Sequence, residues 1–581
     1  MGYATIMLIA FAFGIALNAA KPALTLVKNG KSDYSIILAP GSSPSMHHGA
    51  EELQKTIQAM SGATLPILQP ETGGTEPHKH VIVIADDAIM AQRQHRKALG
   101  DEEYSIQTNA NGLIIHGGAK RGAMYGCYAL LEDQLGVRWF NARCTKVPKQ
   151  KTITLPKLDL HGKPAFEYRE PFFAEAFDKD WAVRNRTNGN SQRLDASVGG
   201  KVSYGRFVHT FNELVPPETY FDAHPEYFSM IDGQRKKGYY QLCLTNADVL
   251  KITIDKVKQW IKENPDATIF SVSQNDTYYN CQCPACRAIE AEEGAPSGPL
   301  LRFVNQVAQA IAVEHPNVLI DTLAYQWSEK PPLHVRLRPN VRIRIAPIGA
   351  CFSHPLDGCS ENALPLQNLK DWAKITNQIY IWHYTTNFAN YLQPLPNLDE
   401  IAGDLKLFKA NGVVGFFDEG AYAAGGGGEM SELKAYLLSQ LMWDPSRDAN
   451  AIINDYVIGV YGKAAPKVMD WLTLLRAAGK SAHARIYDPP TAPYLTDDLL
   501  KQGVVLFDDA ERLATGDARA LDEVQRARMA VDYVRLMRSP RDGAEFPVLA
   551  RGLAERIRKY GITEVREGQP VADFLKAIGQ A

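Results

Sequence analysis

The sequence predicts an α/β protein. A (β/α)8 barrel is expected over residues 165–430, a small α/β domain before it at 21–160, and an α-helical domain after it at 431–581. Three observations carry this. Between 165 and 430, apolar runs of strand length alternate with stretches of helical spacing, the pattern of parallel strands joined by crossover helices. The ends of those runs are rich in acids, histidine and aromatics, as expected where a barrel collects its working side chains. After the four glycines at 425–428 the chain turns to long periodic helices.

With 581 residues the chain is too long for a single core. A hydrophobic content of 45% and a charged content of 22% are those of a folded, water-soluble protein. The formal net charge is −2 and the basic residues form no stripe, which excludes a nucleic-acid partner. Residues 4–17 are apolar and run into Asn18-Ala19-Ala20, so residues 1–20 read as a secretory signal peptide. The run is shorter than the ~20 residues a spanning helix needs. An exported bacterial protein, periplasmic or extracellular, is expected, with no membrane span in the mature chain. The sequence carries no sign of oligomeric state.

In the first domain, 34–38 and 81–84 are strand-like and 49–60 has helical spacing, with Leu53, Ile57 and Met60 on one side. Segments 104–107 and 112–116 bracket Asn109-Ala-Asn111 as a hairpin, and 121–135 is helical. Seven strand candidates follow at 166–169, 206–209, 267–273, 318–324, 341–346, 378–382 and 413–417, with an eighth expected in 227–244. Helices are expected between them at 247–263, 299–314 and 399–409, and after them at 432–443, 448–460, 465–477, 496–513 and 518–538.

The run Val413 to Tyr422 carries most of the functional argument. An apolar strand leads into Asp418-Glu419, then Gly420-Ala421-Tyr422. Paired carboxylates at a strand end are the usual equipment of glycoside hydrolysis. The alternative is that Asp418 caps a turn and Glu419 is solvated. Asn275-Asp276 ends another apolar strand and forms a rival pair. Asp276 as acid with Glu419 as nucleophile would be the ordinary retaining arrangement, whereas loop bracing is the plainer role. Tyr325, Trp327, Trp382, His383, Tyr384 and Tyr422 are candidates to line a sugar site, because aromatic faces stack on sugar rings. Three in a row at 382–384 cannot all face inward from a strand. His209 is either a ligand contact or a structural hydrogen-bonder.

Cys281, Cys283 and Cys286 form a C-x-C-x-x-C cluster. Zinc sites use close cysteine pairs, but no clear second pair follows. The cluster reads as structural, with a disulfide, for instance to Cys243, as the alternative to zinc. No catalytic metal and no organic cofactor are expected.

Several of these motifs carry a family resemblance. Lys120-Arg-Gly-Ala-Met-Tyr-Gly-Cys-Tyr-Ala-Leu-Leu-Glu132 with Gly136-Val-Arg-Trp-Phe140 resembles the accessory domain that precedes the barrel in β-hexosaminidases and α-glucuronidases. His224-Pro-Glu-Tyr-Phe228, Gln241-Leu-Cys-Leu-Thr-Asn246, Ser271-Val-Ser-Gln-Asn-Asp276 and Cys281-Gln-Cys-Pro-Ala-Cys286 resemble glycoside hydrolase family 163, formerly a domain of unknown function. So do Leu323-Ala-Tyr325, Trp382-His-Tyr-Thr-Thr-Asn-Phe388 and Trp443-Asp-Pro445. The resemblance implies an endo-β-N-acetylglucosaminidase whose substrate is a glycoprotein N-glycan. It implies a substrate-assisted mechanism, with Glu419 as general acid and Asp418 as partner of the substrate's 2-acetamido group. An exo-acting hexosaminidase or glucuronidase on the same scaffold, and a noncatalytic glycan-binding protein, are the alternatives.

Overall fold

The computed structural model describes residues 24–69 and 80–581. The expected signal peptide lies outside the described residues. The described residues divide into two compact units, one of 24–69, 80–136 and 147–162, the other of 137–146 and 163–581.

The first unit holds a six-stranded sheet. Its strands are β1 (Tyr34–Leu38), β2 (Ile67–Leu68), β3 (His80–Asp86), β4 (Tyr104–Asn109), β5 (Gly112–Gly117) and β6 (Asp159–Gly162), in the order β6-β4-β5-β3-β1-β2. Helix α1 (Pro44–Ser61) starts at Ser43, whose side chain accepts from the Met46 N–H, and stops at Gly62 with φ 88°. It packs on α2 (Gly122–Ala129) at Gly49, where a Cβ would lie 3.1 Å from Met124 Cα. The hairpin expected around Asn109 to Asn111 forms between β4 and β5.

The second unit is built on a curled, seven-stranded, all-parallel sheet. Its strands are β7 (Tyr168–Phe172), β8 (Tyr204–Arg206), β9 (Ile269–Ser271), β10 (Leu319–Ala324), β11 (Val341–Ile345), β12 (Ile379–Tyr384) and β13 (Val413–Glu419). The order is β7-β13-β12-β11-β10-β9-β8, so the first strand pairs with the last and not with the second. The eighth strand expected in 227–244 does not form. Asp232 (φ 50°) and Gly233 (φ 77°) instead turn Met230–Ile231 back on Gln234–Arg235 as a hairpin. An Asp-Gly turn with two positive φ angles closes an antiparallel pair and leaves no parallel strand to donate.

Helices α3 (Ala247–Glu263), α4 (Pro284–Glu293), α5 (Ser297–Glu314), α6 (Ala363–Ile375) and α7 (Leu398–Ala410) lie between these strands in sequence. Then come α8 (Ser431–Trp443), α9 (Ala449–Tyr461), α10 (Ala465–Lys480), α11 (Asp497–Ala514), α12 (Ala518–Arg538), α13 (Phe546–Tyr560) and α14 (Val571–Ala577). Every residue of α8 is buried, which is the mark of a core helix. One hydrophobic core runs from β11, β12 and β13 through α8 to α13. No helix among the described residues is long and apolar enough to cross a membrane.

The curl of the sheet is visible in what its inner face surrounds. Tyr168 of β7 stacks on Tyr380 of β12 at 5.5 Å and 15°. The Arg344 guanidinium of β11 lies 5.2–5.7 Å from the rings of Tyr168, Tyr204, Phe207, Tyr380 and Phe417. Rings from four strands, with Phe207 just beyond β8, can meet at a cation carried on a fifth only if the sheet wraps around it. Arg344 is paired with buried Asp321 of β10 at 3.3 Å, and the Tyr204 hydroxyl donates to Asp321 at 3.1 Å.

Gly415 of β13 faces the Tyr380 ring, and a Cβ there would lie 2.4 Å from it. Gly415→Ala is therefore expected to destabilise the fold by about 1–3 kcal/mol, read as a lower urea midpoint, because the stacked tyrosines cannot yield.

Candidate active site

The C-terminal ends of the parallel strands surround a cavity of about 230 Å³. Strand alternation decides what faces it. In β13, Phe417 packs in the inner aromatic cluster and Glu419, two residues on, lines the cavity. Asp418 points to the opposite face of the sheet.

Glu419 is half-buried and accepts a hydrogen bond from the Trp382 indole Nε1 at 2.8 Å. Burial first, then the charge of Glu567, with Asp418 and Asp276 adding to it, pushes its carboxyl up to about 8, although the Trp382 bond works the other way. Across the cavity, Asp276 accepts from the Tyr325 hydroxyl at 3.0 Å and from Gln326 Nε2 at 3.2 Å. Its backbone N–H donates to the Tyr239 hydroxyl at 3.2 Å. Glu567 is the third carboxylate in the cavity and accepts from the Tyr422 hydroxyl at 3.2 Å. Burial raises its pKa, and Glu564 and Asp276 add to the rise against the Tyr422 bond.

The walls are aromatic. Trp382, Tyr384, Tyr325 and Tyr487 line the cavity with His209. His209 has φ 59° and Gln326 φ 52°, so two non-glycine residues at the cavity edge hold left-handed backbone. The His209 N–H donates to Ser273 Oγ at 2.9 Å and its Nδ1 donates to the Gln274 carbonyl at 2.8 Å, which leaves Nε2 as the atom able to meet a ligand. Burial and the Glu567, Glu419 and Asp276 charges push the Tyr487 hydroxyl up to about 12.

The structure thus brings Glu419, Asp276, His209, Tyr325, Trp382 and Tyr384 to one cavity and places the other sequence candidates around it. Asn275 is a brace: its N–H donates to Gln241 Oε1 at 3.0 Å and its Nδ2 to Asn212 Oδ1 at 2.7 Å. Trp327 packs into the core that contains Phe211 and Phe303. Tyr422 packs on Phe172 with ring centres 4.9 Å apart and planes tilted by 41°, and it holds Glu567. His383 and Asp418 lie on the outer face of the sheet. There His383 Nδ1 meets Asp418 Oδ2 at 3.1 Å, His383 Nε2 meets Glu400 Oε1 at 2.6 Å, and the Thr385 hydroxyl donates to Asp418 Oδ1 at 2.5 Å. Burial opposes a charge on His383, but Glu400 and Asp418 outweigh it and raise its pKa well above 6.5.

Tyr487 and Glu567 were not candidates from the sequence. Tyr487 sits in the segment before Pro489-Pro490 between α10 and α11, and Glu567 in the turn between the short strands Glu564–Arg566 and Gln569–Pro570. Backbone bonds seat the latter: the Tyr391 N–H donates to the Val565 carbonyl, and the Glu567 N–H to the Phe388 carbonyl, each at 2.9 Å. The only sequence signal was the Pro-Pro break in the helical pattern. Among the described residues, three groups of His, Cys, Asp or Glu side chains come close enough to share an ion, and none of them lines the cavity.

No curated protein matches the chain. Among solved structures, a family GH115 4-O-methyl-α-glucuronidase with specificity for decorated arabinogalactans is 12% identical, over 91% of this chain and 76% of that one, with a TM-score of 0.58. A family GH89 protein from Clostridium perfringens, solved with GlcNAc-α-1,4-galactose, is 10% identical, over 88% and 65% of the two chains, with a TM-score of 0.45. A β-N-acetylhexosaminidase from Bacteroides fragilis is 13% identical, over 77% and 93%, with a TM-score of 0.39. The first likeness shows a glycoside hydrolase-like fold. Residues 22–130 match the glycosyl hydrolase family 67 N-terminus. Residues 139–473, more than half of the chain, match the family described as a domain of unknown function, DUF4838, and to that family the chain belongs.

Proposed function

We propose that the protein is a glycoside hydrolase in which Glu419 is the general acid, acting as an endo-β-N-acetylglucosaminidase on glycoprotein N-glycans. The observation that carries this is Glu419 itself: a carboxyl held protonated near neutral pH by burial and by neighbouring acids, inside a cavity walled by aromatic rings. Protonated Glu419 gives its proton to the glycosidic oxygen as the C–O bond breaks. The resulting carboxylate takes the proton back from the water that completes hydrolysis. Asp276 is the second carboxylate facing the sugar. It bears on the anomeric carbon directly or through the substrate's 2-acetamido group. Asp418 contributes its charge from behind the strand, since its two oxygens are engaged by His383 and Thr385.

Two features bear on the substrate. The residues lining the cavity include three carboxylates and neither Lys nor Arg. A uronic acid would bring a further negative charge without a partner, so a neutral sugar such as N-acetylglucosamine fits better than a glucuronide. Tyr239, Tyr278 and Tyr279 are 52%, 75% and 52% exposed and lie beside Asp276 in the chain or bonded to it. Exposed rings next to a catalytic carboxylate suit stacking of further sugars, as an endo enzyme needs. The cavity volume favours the second reading, an exo-acting hexosaminidase, because about 230 Å³ is below the ~300–1,000 Å³ of sites for larger ligands.

The test is a substrate panel: an N-glycoprotein, an aryl β-N-acetylglucosaminide and an aryl glucuronide, each with wild type and Asp276→Asn. Cleavage of the glycoprotein with little of either aryl glycoside supports the endo reading. Cleavage of the aryl N-acetylglucosaminide alone supports the exo reading, and cleavage of the glucuronide alone contradicts both. Unchanged rates in Asp276→Asn would remove Asp276 from the mechanism.

A pH profile follows from the same group. Glu419 donates only while protonated, so kcat/KM is expected to fall with rising pH along a limb centred near 8. Stability has a matching sign. Between the ordinary 4.5 and about 8 the folded chain keeps a proton that the unfolded chain has lost, so this group's contribution declines as pH rises through that window. In Glu419→Gln that decline is expected to vanish from the difference in urea midpoints between pH 5 and pH 8.

A further inference from the structure

Two clusters of soft metal ligands lie outside the cavity. In the first, the Sγ atoms of Cys243, Cys281, Cys283 and Cys286 all lie within 4.8 Å of one another, and all four residues are buried. Cys243 Sγ and Cys283 Sγ are 3.6 Å apart. That is far beyond a disulfide bond of about 2.05 Å. It is close to the ~3.8 Å edge of a tetrahedron whose centre holds zinc at about 2.3 Å from each sulfur. The four thiols form a cluster with Met230 as the one partly buried apolar neighbour, so they face each other rather than a hydrophobic core. Donors point at the sulfurs: the Met230 N–H at 3.4 Å and Arg235 Nη1 at 3.8 Å from Cys281 Sγ. Such donors stabilise thiolate ligands.

In the second cluster, Cys351 Sγ, His354 Nδ1, Cys359 Sγ and His483 Nδ1 meet within the same limit. Cys351 Sγ is 3.3 Å from His354 Nδ1 and 3.4 Å from His483 Nδ1, and Cys359 Sγ is 3.6 Å from His483 Nδ1. Each imidazole turns Nδ1 to the thiols and Nε2 away. His354 Nε2 lies 3.3 Å from the Lys480 carbonyl, and His483 Nε2 lies 3.3 Å from Glu361 Oε1. A carbonyl or carboxylate on the far nitrogen is how metal-binding histidines are oriented.

We propose that the protein holds two structural zinc ions. One is in a four-cysteine site at Cys243, Cys281, Cys283 and Cys286. The other is in a site of two cysteines and two histidines at Cys351, His354, Cys359 and His483. Binding displaces the thiol protons to solvent. Neither site touches the reacting sugar, and the proposal stands apart from the hydrolase reading. Both sites clamp loops that shape the cavity. The first joins the segment after β9, which carries Asp276, to the segment where Gln241 Nε2 donates to the Asn275 carbonyl at 2.8 Å. The second joins the segment after β11 to the one carrying Tyr487, where the Phe352 N–H donates to the Ala484 carbonyl at 2.9 Å. These ions are positioning elements.

The test is elemental analysis of the full chain purified without chelator or metal-affinity steps. Two equivalents of zinc are expected, with every cysteine titrating as a thiol after unfolding and zinc removal. Cys283→Ser and His483→Ala are each expected to lose one equivalent and keep the other. Hydrogen exchange should then rise locally, around 276–286 in the first variant and around 483–488 in the second. A thiol-blocking reagent added to wild type, which needs no variant to fold, should release both equivalents to a zinc dye. Absence of zinc with cysteines paired as disulfides, or iron in place of zinc, overturns the proposal. A single equivalent lost in only one variant overturns the site probed by the other.

Discussion

Glu419→Gln is expected to lower kcat on a natural glycoside by about 10²–10⁴-fold, the range for losing a general acid. Gln can still accept the Trp382 indole bond seen at 2.8 Å, so the cavity should survive the change. The loss should depend on the leaving group. An aryl glycoside with a strongly acidic phenol leaves without a proton, so the variant should cleave it at a rate near that of wild type. A poor leaving group should show the full defect. The alkaline limb near 8 should disappear from the residual activity. A uniform loss across leaving groups would mean that Glu419 does something other than protonate, and would move the acid to Asp276 or Glu567.

The second large effect concerns stability. Arg344→Met is expected to cost about 3–5 kcal/mol, because it leaves a buried carboxylate without its counter-ion. Asp321 and Arg344 are fully buried and 3.3 Å apart, and the guanidinium also sits among five aromatic rings. Burial already raises the Asp321 pKa against the pull of Arg344. Without Arg344 the carboxyl is expected to take a proton more readily, so the defect should shrink as pH falls. Changing both partners, Arg344→Met with Asp321→Leu, should recover much of the loss, since an apolar pair of similar volume replaces a desolvated ion pair. Urea midpoints at pH 5 and pH 8 for Arg344→Met, Asp321→Leu and the double variant check this. Equal stability of single and double variants would show that the cation–ring contacts, not the ion pair, carry the energy.

Six strands were legible because each is an apolar run leading to a polar end, as in 318–324 and 413–417. The strand expected at 206–209 lies instead at Tyr204–Arg206, where Tyr-Gly-Arg is not an apolar run, and 207–209 follow it outside the sheet. The segment 227–244 reads as a strand by composition alone. Its Asp232-Gly233 turn was the contrary signal, since two positive φ angles close a hairpin. In the cavity, Glu419 and Asp276 were visible as acids at strand ends. The separation of Asp418 from Glu419 follows from alternation within β13, which continues through both residues instead of turning before them. Trp382 and Tyr384 face the cavity while His383 faces α7, for the same reason. Tyr487 and Glu567 were not legible, because nothing local marks a loop residue that reaches a site formed far away in sequence. Cys243 was legible only as one candidate partner of the C-x-C-x-x-C run; that it stands in for a missing second pair is a matter of three-dimensional packing.

The deciding measurement is the intact mass of a homogeneous N-glycoprotein before and after incubation with wild type and with Glu419→Gln. A loss that leaves one N-acetylglucosamine on each site with wild type, and an unchanged mass with the variant, is the expected result. An unchanged mass with both, while wild type and variant bind the same glycopeptide equally well, would contradict the hydrolase reading and make the cavity a glycan-binding site without chemistry.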